Sequence, residues 1–312
     1  GIRDYKVTGV QTCALPIFAF MILKGTTTIG SGVTFGGFLL TTSGFYFDRA
    51  TAGTINVNIA QPFSSGSIRN AFYYQTTNVT GINETYNGTS AQTTVNGTNA
   101  TPGAGYAAWP TTGTVLKTLT ISNTAGVTAS TAKVINTSLV VDVSCSYDIG
   151  ANNHTIASGA TGTINGTLRS AATITTTGTL TFSSTGTYEH NFTTTAGTIP
   201  TSTWNSGSTC SIIGYTTNTT VTGGLAQAFS NFTWNTPNQN TGSINLGGAL
   251  QTVNGTFTVV ATGTTTAREL RLSGNTAYTL TGNSNTGIGG FVVSGGVRSE
   301  EHTSELQSPC NL

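Results

Sequence analysis

Residues 115–143 read VLKTLTISNTAGVTASTAKVINTSLVVDV. Leu116, Leu119 and Ile121 alternate with Thr and Ser, and the segment from 134 to 143 repeats the pattern after a break at SNTAG. Alternation with a period of two belongs to a strand with one wet face; the 3.6-residue period of a helix is missing. Thr suits such a strand because it is both β-branched and able to hydrogen-bond water. Leu119 and Leu139 stand 20 residues apart, so the unit of repetition is about one short turn of chain.

The same texture continues outward, in segments 154–168, 172–186, 243–263 and 269–283. Each offers one or two strands of three to six residues. Asn-Gly and Thr-Gly steps punctuate them, as at Asn165-Gly166 and Asn254-Gly255, where Gly or Asn tolerates positive φ. Leu225 and Leu246 lie 21 residues apart, and a Thr-Trp-Asn core recurs with Trp204 and Trp234 30 apart. Periods in this range predict an all-β fold, a right-handed parallel β-helix or β-solenoid over residues 113–297. Val, Ile, Leu and Phe stack inward, and hydroxyls and amides solvate the outside. Fourteen Phe and ten Tyr supply a core that a disordered chain would lack.

Residues 18–112 are more aromatic, as in FGGFLLTTSGFYFDRA (35–50), and 83–110 has the Gly, Pro and Asn content of a loop. This part is expected to be a β-sandwich-like piece or irregular earlier turns of the same solenoid, with a soft boundary near 111–112.

The two ends have another origin. RSEEHTSELQS (298–308) reads as translated synthetic sequencing adapter, and GIRD (1–4) and VTGVQTCALPI (7–17) as the same adapter from its other end. Tyr5-Lys6 and the closing residues 309–312 then encode a sample index and its reverse complement, so each end predicts the other. On this reading residues 1–17 and 298–312 are artefact. The basic-then-apolar start that mimics a signal peptide dissolves, and FAFMILKG is too short to span a bilayer.

Between those ends stand eight basic and six acidic residues, thinly spread. That excludes the concentrated basic footprint of a nucleic-acid binder and the Lys/Arg face of an interfacial helix. Of four cysteines, Cys13 and Cys310 belong to the ends; Cys145 and Cys210 are expected as single buried thiols, pairing being the other option.

The stretches from 115 to 141, 186 to 220 and 225 to 259 resemble the repetitive β-rich surface proteins of Bacteroidetes exported by the type IX system. The resemblance covers roughly residues 116–296 and rests on repeat style, with no catalytic signature. It implies export across both membranes, display at the outer-membrane surface or release, and often a C-terminal sorting domain.

No catalytic, cofactor or metal site is expected. Asp142 and Asp148 are the nearest carboxylate pair in sequence, most simply as solvated turn residues. Glu189 and His190 are adjacent, so a strand sends them to opposite faces. His154 in GANNHTI is expected as an exposed turn residue. The sequons at Asn78, Asn87, Asn96, Asn165 and Asn254 are read as turn chemistry rather than glycan acceptors. Trp204 and Trp234 are read as core at matching repeat positions, with sugar stacking as the alternative. TITTTGTLTF (173–182) raises a Thr ladder of the kind found in ice-binding solenoids, which needs Thr pairs in register over many turns; the uneven spacing counts against it.

The expected function is a non-enzymatic structural or adhesive segment of a large bacterial surface or secreted protein. Its expected partners are extracellular polysaccharide or cell-surface components, without nucleic acid, cofactor or membrane span. The alternative is part of a carbohydrate-active β-helix, to be recognised by an exposed groove with two carboxylates within about 10 Å.

Overall fold

The structure is a computed structural model and describes residues 21–24, 27–29, 45–60, 71–97, 104–263, 269–273 and 290–293. The adapter-like ends lie outside these residues, as does most of 264–297. Among the described residues every regular element is a strand. The chain winds through parallel ladders: a first sheet of eight strands, a second of nine and a third of three. This is the parallel β-solenoid that the alternation predicts.

Leu119 and Leu139 are ladder partners, so their 20-residue spacing is one turn. Turn length is otherwise uneven: Ile164 meets Phe182, 18 residues on, whereas Phe232 meets Phe257, 25 on. Most of the surplus is taken up at the corners, and single-residue bulges at Gly53/Thr54, Ile82/Asn83 and Trp234/Asn235 absorb the rest. The spacing of Leu225 and Leu246 belongs to no described ladder. The Thr-Trp-Asn repeat is likewise not a turn. Trp204 sits on the first sheet opposite Phe182, and Trp234 on the second opposite Ile212.

Inward positions form columns, one residue per turn. Ile59, Tyr86, Ile121, Val141, Ile164 and Phe182 follow one another inside the first sheet, all buried. Inside the second sheet the column is mostly aromatic, running through Tyr188, Phe232 and Phe257 with Cys210 between the first two. One continuous core joins Phe45 to Val259. Both Trp204 and Trp234 are in it, and Trp204 stacks on Phe182 at 4.4 Å.

Part of the earlier segment stacks on the first sheet, while Met21–Lys24, Phe45–Asp48, Phe72–Gln75 and Tyr106–Ala108 form a four-stranded sheet of their own. Gly53–Ile59 pairs in parallel with Val79–Tyr86, which pairs with Leu116–Ile121. The loop expected over 83–110 is therefore partly strand, at Val79–Tyr86, Gln92–Thr93 and Tyr106–Ala108. Asn and Gly content misled there, because Asn83 and Thr85 are the outward members of a regular alternation. Among the described residues one antiparallel pairing occurs, between Phe72–Gln75 and Tyr106–Ala108.

The corner glycines act differently from expectation. Gly166 and Gly255 are not among the glycines with positive φ. A Cβ on Gly166 would lie 2.2 Å from the Cys145 carbonyl oxygen of the preceding turn, and one on Gly178 2.2 Å from that of Ala160. Both glycine N–H groups donate to the turn below, to Val141 O and Ile156 O. Gly is needed there for close approach of one backbone to another.

Candidate functional site

The chemistry-bearing side chains fall into an inner set and an outer set. The inner set begins with Glu84, which alternates with Ile82 and Tyr86 in GINETYNG and so follows them into the core. Its ladder partners are Val57 and Leu119. Lys133, inward on the third sheet, reaches it at 3.0 Å, and both side chains are fully buried. Tyr86 donates to Glu84 and accepts the Val95 N–H, while the Lys133 ammonium also donates to the Val95 carbonyl. A buried charge needs such partners, since an unpaired one costs several kcal/mol.

His154 is the next residue up that column, paired in register with Lys133. It is buried, contrary to the exposed turn position expected: the strand His154–Ile156 begins at the histidine itself, directly after the corner. Its Nδ1 lies 2.9 Å from the Asn152 carbonyl, which only accepts, so Nδ1 carries the proton and Nε2 accepts from Tyr147 at 2.7 Å. Burial, with the Lys133 charge adding, lowers its pKa to about 4. His190 repeats the design: Nε2 donates to the Ala196 carbonyl at 2.7 Å, Nδ1 faces Tyr188 at 3.2 Å, and burial again lowers the pKa to about 4. Both imidazoles are neutral core members at pH 7.

Glu189, one residue before His190, faces outward as the strand alternation requires. There it meets Arg169 at 2.6 Å, and Arg169 in turn lies 3.9 Å from Asp148. The three occupy successive turns of one outward column on the second sheet. Two strand spacings put the backbones of Asp148 and Glu189 roughly 9.5 Å apart, and their carboxylates converge on the Arg169 guanidinium between them. The hydrogen bond to Glu189 raises the Arg169 pKa further. Asp142 is not part of this group. It accepts from Ser122 at the corner after Ser138–Val141, and Ser144, with φ 63°, bends the chain before Ser146–Asp148. The carboxylate pair that the structure brings together is thus 148 with 189, which only knowledge of the 20- and 21-residue registers reveals.

The outward face of the first sheet is different in kind. Thr118, Ser138, Thr161 and Thr179 are successive ladder partners, and so are Thr120, Val140, Thr163 and Thr181. Below them the two columns continue through Asn83 and Thr85 to Asn56 and Asn58, and the Asn83 amide donates to Asn56 at 2.8 Å. Thr203 extends one column above. Thr pairs are therefore in register on three of these four turns, with Ser138 and Val140 on the other, so uneven turn lengths do not break their alignment. The stretch TITTTGTLTF itself bends at Gly178 and is shared between the third and first sheets.

Cys145 and Cys210 are buried free thiols, and burial raises both pKa values. Among the sequon asparagines, the Asn78 amide donates to the Arg49 carbonyl and that of Asn96 to Ser130, while Asn87 and Asn254 are exposed. Among the described residues no group of three or more His, Cys, Asp or Glu could hold a metal ion, and no helix is long and apolar enough to cross a membrane. Fold and faces together define a parallel β-solenoid repeat protein. Comparison with protein-family models, curated proteins and solved structures returns no match to this chain.

Proposed function

We propose that this solenoid is a non-enzymatic structural or adhesive segment of a large bacterial surface or secreted protein, of the Bacteroidetes type IX-exported kind. The observation that carries it is the division of labour among the side chains. The buried His, Lys and Glu are used up in packing, and the broad outer columns are hydroxyl and amide. Such a stack forms a stiff, weakly charged rod suited to display or to contact with polysaccharide and other cell-surface components. The adapter origin of residues 1–17 and 298–312 belongs to this proposal, and resequencing the source gene with different library chemistry tests it. Antibody raised against residues 104–263 should label intact cells carrying the recovered gene. Labelling only after permeabilisation would reject the surface role.

The Asp148–Arg169–Glu189 column favours a second reading, a carbohydrate-active β-helix. Both carboxylates reach the same guanidinium, which keeps them within the span of about 10 Å that a glycosidase acid/base pair uses, though Arg169 fills the space where water would stand. Polysaccharide cleavage abolished by Glu189→Gln would establish that reading.

A further inference from the structure

We propose that the outward face of the first sheet is an ice-binding surface, centred on Leu116–Ile121, Ser138–Val141, Thr161–Ile164 and Thr179–Phe182. The inference deepens the surface-module reading by naming the ligand of one face. Two observations carry it. The first is periodicity: two adjacent columns present a hydroxyl and a methyl at each Thr, and on the one turn without Thr, Ser138 keeps the hydroxyl and Val140 the methyl. The steps are about 4.8 Å between strands and about 6.7 Å between alternate residues of a strand. Water at a hydrogen-bond length of about 2.75 Å and tetrahedral angles repeats about every 4.5 Å within an ice layer, and about every 7.3 Å along the perpendicular axis. The grids agree to within about a tenth, so over three or four turns the mismatch along the stack stays near 1 Å.

The second observation is charge. Among the described residues of these strands, the charged side chains are Glu84, which faces inward, and Lys117, at a bulge beside Gly81. The second sheet, built from the same turns and also bearing Thr, carries Asp148, Arg169 and Glu189 on its corresponding column. Charges hold their own hydration shells and break a water lattice, whereas a neutral array of hydroxyls and methyls can order one. The first face therefore fits a neutral, periodic partner and the second does not. Thr161, Thr179 and Thr203 are exposed and the neighbouring members half-buried, so the columns are open to such a partner.

The test uses the full chain in an ice-recrystallisation assay and in partition into slowly growing ice. The wild type is expected to inhibit recrystallisation and to enter the ice. Thr163→Lys with Thr181→Lys should reduce both at least tenfold, while Thr187→Lys on the second sheet leaves both unchanged. Circular dichroism melts confirm that all three proteins are folded. A folded wild type with neither activity overturns the proposal, as does equal loss in the Thr187→Lys control. Binding to crystalline cellulose that is lost in the double variant, without ice activity, assigns the face to polysaccharide instead. These outcomes are independent of cell labelling, so failure here leaves the surface role standing.

Discussion

Glu84 and Lys133 sit 49 residues apart in sequence and touch inside the core, where neither has water to fall back on. Lys133→Met should destabilise the fold by about 3–5 kcal/mol, because it strands a buried carboxylate. Adding Glu84→Leu should recover most of that loss; denaturant titration of the three proteins checks both. The histidines give a pH signature. Their ordinary pKa near 6.5 in the unfolded chain falls to about 4 on folding, so the unfolded state binds more protons between those values. Stability is then complete above about pH 6.5 and declines as pH falls toward 4, by roughly 3 kcal/mol per histidine. Denaturation midpoints at pH 7 and pH 5 should show the decline, and a flat profile contradicts it. The loop-like Asn and Gly content of 83–110 hid Glu84, although Ile82 and Tyr86 share its face in GINETYNG; Lys133 as its partner was hidden because nothing local encodes contact across turns. His154 looked exposed because its flanking Asn residues are turn-like, yet the strand starts at the histidine.

At the scale of the element, the corners matter most. Gly166→Ala drives a methyl into the Cys145 carbonyl and should cost about 3 kcal/mol or more, an overpacking penalty against rigid backbone. Gly159→Ala meets nothing within 4 Å and is strained only by its φ of 77°, so about 1 kcal/mol is expected. Thermal melts of the two variants should rank in that order. Strand texture was readable because alternation is local. Corner geometry was not, since the same Asn-Gly step serves either positive φ or close approach, and the carbonyl that decides between them belongs to the previous turn. The Thr-Trp-Asn repeat misled for a related reason: the two tryptophans occupy different sheets, and a similar motif at 30 residues spans more than one turn.

The whole molecule is a stack in which each turn touches mainly its neighbours, so stability accumulates along the axis. Its class was visible in the Thr-rich alternation and in one true turn length, Leu119 to Leu139. Its register was hidden by corners of unequal length, and with it the two faces on which function is argued: the charged column through Arg169 and the neutral columns through Thr161 and Thr163. Everything argued for those faces depends on that register. Six successive ladder partnerships join Asn58 to Thr203, through Thr85, Thr120, Val140, Thr163 and Thr181. Six strand spacings amount to about 29 Å. Spin labels at positions 58 and 203 should give one narrow distance distribution near that value by pulsed electron resonance. A broad distribution, or one centred many ångströms away, would contradict the in-register stack.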